Sequence, residues 1–193
     1  MNRVSLQNSI GNALEERFTG FMPVIQSDHA YIHAGLGFSY IATTGTLAAS
    51  ATTSIEFTTP TVASGKFIHL RPTFLSSSEN YMTMSINEAS TATGGSSVLT
   101  SILNRNRNSA TASGMQTLKT GVTVSVAGAQ IDTFATGIAG GRADNSGGQN
   151  GGANEEIVLI PNTKYTITFA NSGTVTATVG IYKLFWYEES TGL

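Results

Sequence analysis

Two histidines stand four residues apart in DHAYIH, at positions 29 and 33. On a helix that spacing lets both imidazoles reach one metal ion. In a strand it sets them about 13 Å apart, too far to share an ion through bonds of about 2 Å. The neighbours Tyr31, Ile32, Gly35 and Gly37 favour a strand, and Ala30 stands where an HExxH zinc motif needs glutamate. His29 and His33 are therefore read as structural histidines, and no metal site is expected.

The other chemical signatures are incomplete. GLGFSY, residues 35–40, lacks the third glycine of a dinucleotide-binding turn, and SGK at 64–66 has Pro60 where a phosphate loop needs its first glycine. A serine triad can be assembled from the three histidines and Asp28, Asp132 or Asp144 only by free choice, because triads are recognised by geometry. Paired carboxylates for glycoside hydrolysis meet the same objection. The zero cysteine count excludes disulfides, thiolate zinc sites and a cysteine nucleophile. We expect no enzyme activity and no cofactor.

The densest polar cluster is NRNRNS, Asn104 to Ser109. Extended, it places Arg105 and Arg107 on one face about 7 Å apart and Asn104, Asn106 and Asn108 on the other. Two arginines so placed can grip carboxylates or backbone carbonyls of a neighbouring chain while the amides satisfy a turn. Arg105, Arg107, Asn104 and Asn106 are thus expected at a subunit interface. The competing reading is a solvated strand end.

The elements that must position these residues follow from composition. In 193 residues only 11% are charged, while Ser and Thr fill about a quarter and Gly contributes 21. That balance favours short strands and turns over helices, whose usual surface formers are scarce. The net charge of -2 removes the electrostatic basis of nucleic-acid binding. No apolar run approaches the roughly 18 residues that cross a bilayer, and the N-terminus has no apolar signal region. The expectation is a soluble protein made in the cytoplasm, with neither nucleic acid nor membrane as partner.

From about residue 30 the pattern is period-two alternation broken by Gly, Ser, Asn and Pro. Strands are expected at 31–41, 54–58, 66–75, 81–87, 97–104, 120–126, 130–136, 156–160, 164–170 and 174–188. In the last of these, Val175, Ala177, Val179 and Ile181 form one apolar row and Tyr182, Leu184 and Trp186 the other. A strand apolar on both faces is central or covered by another subunit, so Tyr182 and Trp186 join the expected interface. The fold class is all-β, an antiparallel two-sheet sandwich over residues 28–193, with a jelly roll the commonest eight-stranded form. Residues 137–154, rich in glycine, read as a mobile loop.

Residues 1–27 read as a separate arm. Ile10, Ala13, Leu14 and Phe18 fall near helical spacing. A short amphipathic helix ending at Gly20 and Pro23 is expected there, and it needs a surface to bury its apolar side. Ile10, Leu14, Phe18 and Phe21 are the expected docking residues.

The chain also resembles structural proteins of tailed bacteriophages. The resemblance lies in DHAYIHAGLGFSY with His33, Gly35 and Phe38, in TSIEFTTP followed by GKFIHLRPTF, and in SINEASTATGGSSVLTSILNRNRNS. It continues in EEIVLIPNTKYTITFANSG and closes with LFWYEE, covering about residues 28–189. It implies a jelly-roll decoration or cement protein, usually trimeric, bound to the major capsid protein on the outer surface of the virion head. A tail or fibre component with a carbohydrate or receptor site is the alternative. Exposed aromatic platforms would mark it, and the chain's single tryptophan, Trp186, lies in an apolar strand where burial is the easier reading.

Overall fold

The structure, a computed structural model, describes residues 6–7, 13–14, 27–76, 82–136, 156–174 and 180–190. In chain order the first elements are β1 (Leu6–Gln7), β2 (Ala13–Leu14), α1 (Ser27–His33), β3 (Gly37–Thr43), β4 (Thr52–Thr58), β5 (Lys66–Ser76) and β6 (Met82–Glu88). There follow β7 (Thr91–Ser97), β8 (Leu103–Asn104), β9 (Thr117–Val126), β10 (Ala129–Thr136), β11 (Ile157–Leu159), β12 (Lys164–Asn171) and β13 (Gly180–Ser190). Single 3-10 turns lie at Val62–Ser64 and Leu99–Ser101.

The strands pair as one nested hairpin. β6 pairs with β10, β5 with β11, β4 with β12 and β3 with β13, all antiparallel. Rolling that hairpin brings β12 against β6 and β13 against β5. The result is one sheet ordered β11-β5-β13-β3-β8 and a second ordered β10-β6-β12-β4-β9-β7. Eight strands rolled this way form a jelly roll, the expected all-β two-sheet sandwich. The segment β7 to β9 is an insertion at the hairpin tip, and it widens the second sheet through the pairing of β9 with β4 and of β7 with β9.

The core lies between the sheets. Phe38 and Tyr40 on β3, Leu70 and Phe74 on β5, and Leu184 and Trp186 on β13 meet Ile55 and Phe57 on β4 and Tyr165, Ile167 and Phe169 on β12. Phe169 and Tyr182, from opposite sheets, stack with centroids 4.5 Å apart. Tyr165, Ile167 and Phe169, alternate residues of β12, all face inward, at 0% exposure each. Truncating any one such aromatic to alanine costs about 3–5 kcal/mol through lost transfer energy and the cavity left behind.

Three expectations about local structure need correction. The segment 31–36 is not strand: α1 covers Ser27–His33, and β3 begins at Gly37. Residues 97–104 are not one strand either. The chain pairs over Thr91–Ser97, turns through Leu99–Ser101 and pairs again only at Leu103–Asn104. TATGGSS carries no apolar row because β7 is the sheet's edge strand and almost wholly exposed. What holds it is close backbone approach, since a Cβ at Gly95 would sit 2.6 Å from Val122 Cγ1 and 2.8 Å from the Thr120 carbonyl of β9. In the arm, Leu6 pairs with Leu14 and Gln7 with Ala13, so residues 13–14 are strand and not helix. Gly11, which costs a helix about 1 kcal/mol relative to alanine, lies between the paired segments. Ile10, Phe18, Phe21, the stretch 137–154 and residues 175–179 lie outside the described residues.

Candidate functional site

One end of the five-stranded sheet gathers a cluster of ionisable side chains, among them Lys66, His69, Arg71, Glu156, Glu188 and Glu189. Helix α1 packs there on the outward face of β3 and β13. It stops at Gly35, which adopts φ +74. The Gly35 amide donates to the Ile32 carbonyl at 3.0 Å and the Leu36 amide to the Tyr31 carbonyl at 2.9 Å. This pair of bonds around a left-handed glycine is a Schellman stop, and Gly35 was the sequence signal for a helix end that the strand reading passed over. The helix overturns the geometry expected for the two histidines. His29 Nε2 and His33 Nε2 lie 3.2 Å apart on its exposed side.

The NRNRNS tract is likewise not extended. After Asn104 it turns, and its side chains bind the chain's own backbone. Asn104 Nδ2 donates to the Gly35 carbonyl at 2.8 Å and to the Thr111 carbonyl at 2.9 Å, while its Oδ1 accepts the Asn106 amide at 2.9 Å. Asn106 Nδ2 donates to the His33 carbonyl at 2.9 Å. The expected turn-satisfying role of the amides therefore holds, but what they tie down is the end of α1. Arg105 and Arg107 do not share a strand face. Arg105 lies over the Phe185 ring at 5.1 Å from its centroid, and Arg107 is exposed.

Beneath α1 sits a cluster that pattern reading missed. Tyr187 is stacked between Tyr31 and His69, with centroids 4.4 Å and 4.5 Å away. His69 presents Nδ1 to Glu156 Oε1 at 2.8 Å and Nε2 to Glu189 Oε2 at 2.9 Å. The Tyr31 hydroxyl donates to Glu189 Oε1 at 2.9 Å, and the Tyr187 hydroxyl to Glu156 Oε1 at 2.8 Å. Arg71 donates to Glu156 Oε2 from Nε at 3.1 Å and from Nη2 at 2.9 Å. Burial pushes the Glu156 carboxyl up, but hydrogen bonds from His69, Tyr187 and Arg71 outweigh it and hold the group below the ordinary carboxylate value. Burial, then the bond to Glu156, raises the Tyr187 phenol. Alternation along β5 and β13 explains the meeting, since His69 pairs with Tyr187 and Arg71 with Phe185 in the register. Glu156 comes from 31 residues before Tyr187, a distance at which sequence spacing carries no signal.

Chemically the cluster is saturated. Both nitrogens of His69 face carboxylates, which leaves neither one to take a proton from a substrate. Next to it, fully buried Glu188 accepts from Lys66 Nζ at 2.8 Å, the Ser113 hydroxyl at 2.6 Å and the Gly114 amide at 2.7 Å. Among the described residues no three His, Asp or Glu side chains converge as a metal site. Two hollows, of about 220 Å³ beside Tyr40 and Phe169 and about 400 Å³ beside Leu99 and Ile102, have no ionisable side chain other than tyrosine in their walls.

The strand β13 is central in its sheet, as its two apolar rows require. The expected interface role of Tyr182 and Trp186 fails, because they form the inward row at 2% and 0% exposure. The outward row is the one a neighbour can reach. It runs Ile181, Lys183, Phe185, and register places Ile41 of β3 beside Lys183. Ile181 is 48% and Ile41 56% exposed. Leu14 lies in β2, and the other expected docking residues of the arm lie outside the described residues.

No known protein family, curated protein or solved structure matches this chain.

Proposed function

We propose that this protein is a non-enzymatic structural component of a virion, a decoration or cement protein that binds the assembled head of a tailed phage and reinforces it through contacts among its own copies. The observation that carries the reading is the outward face of β3 and β13. Ile41 and Ile181 stand exposed there, with Lys183 beside Ile41 and with Phe185 under the Arg105 guanidinium. A face of this kind gains from meeting a second copy, at about 25 cal/mol per Å² of apolar area before ordering costs.

Three further features support it. The polar clusters are spent on internal bonds, which suits a scaffold. Trp186 is buried, so the chain's single tryptophan offers no platform for a sugar ring. The order of motifs along residues 28–189 resembles phage head proteins. In this reading the arm reaches the major capsid protein while the sandwich contacts neighbouring copies as a homotrimer.

Sedimentation of the full chain at micromolar concentration tests this. The wild type should run as a trimer, and Ile41→Glu with Ile181→Glu should run as a monomer while its stability changes by no more than about 0.5 kcal/mol per site. A monomeric wild type, or a variant that assembles as well as the wild type, overturns the proposed contact.

A further inference from the structure

We infer that His29 and His33 form a surface site for one divalent transition-metal ion of the zinc and copper class, held by the two imidazoles. The inference is independent of the assembly reading. It rests on the bite of the pair. With metal–nitrogen bonds of about 2.0–2.1 Å, two ligand atoms of a tetrahedral ion lie about 3.3 Å apart. The two Nε2 atoms are 3.2 Å apart. The ring centroids are 4.6 Å apart, so the nitrogen edges converge and the ring bodies diverge.

The helix holds this arrangement before any ion arrives. Tyr31, two residues from each histidine and so on the opposite side of the helix, is buried at 8% exposure, stacked on Tyr187 and bonded to Glu189. The backbone of His33 is fixed by the bond from Asn106 and by the Schellman stop at Gly35. Imidazole nitrogen suits zinc, copper and nickel, with copper(II) the strongest by the usual divalent order. The third histidine, His69, does not compete, because carboxylates occupy both of its nitrogens.

The test is calorimetric titration of zinc chloride into the full chain without an affinity tag. One ion per chain is expected, with affinity reduced at least tenfold in His29→Ala and in His33→Ala. His33→Gln, which keeps a polar side chain in place, should behave as the alanine variant does. Copper(II) should give an electron paramagnetic resonance spectrum split by two imidazole nitrogens. Binding that persists unchanged in a His29→Ala, His33→Ala double variant, or no binding by the wild type up to millimolar zinc, overturns the site. The metal-free melting temperature of each variant should match that of the wild type, which separates lost ligation from lost folding.

Discussion

Asn106 donates its side-chain amide to the carbonyl of His33 at 2.9 Å and so joins two sequence motifs that are 73 residues apart. The asparagine tract closes the end of α1, and α1 in turn covers Tyr187 and His69. One polar seam therefore runs from the inserted segment to the last strand of the jelly roll.

Substitutions along that seam should rank by the backbone groups they strand. Asn104→Ala removes partners from two carbonyls and one amide, and should lower unfolding stability by about 1–3 kcal/mol. Asn106→Ala should cost about 1 kcal/mol. Arg107→Ala, exposed, should change it by less than about 0.5 kcal/mol. Urea unfolding of the three variants measures the order.

The pair Lys66–Glu188 should show strong coupling. Lys66→Met leaves a fully buried carboxylate without its cation, at a cost of about 3–5 kcal/mol. Adding Glu188→Leu should recover part of that loss, because the unpaired charge is then gone even though the Ser113 hydroxyl and the Gly114 amide lose their acceptor. A double variant less stable than Lys66→Met would mean that these two bonds outweigh the buried charge.

Acid should weaken the fold through Glu156. The folded state holds this carboxyl's proton more weakly than the unfolded chain does, so its contribution is complete above the ordinary value of 4.5. It is lost as pH falls below 4.5 through the depressed folded value. Glu156→Gln should therefore lose less stability than the wild type between about pH 6 and pH 3 in denaturant titrations.

The sandwich was legible because alternation survives wherever one face meets the core, as in Tyr165, Ile167 and Phe169. It faded where a strand leaves the core. Val122 is buried, while Val126, at the end of the same strand and on the same face, is 57% exposed. Helix α1 was illegible to period counting because only seven residues form it and a single tertiary anchor, Tyr31, decides its orientation. Gly35 marked its end all the same. The cluster around His69 was beyond sequence reading, since register alone brings Glu156, Tyr187 and Glu189 together.

The central proposal, a head-bound structural protein, is tested most directly by adding the labelled chain to tailed-phage particles assembled without it and imaging them. Density on the outer face of the capsid should fit copies of the jelly roll in threefold groups with the β3 and β13 faces turned toward one another. Copies found only on the tail, or no copies in the particle at all, would contradict it.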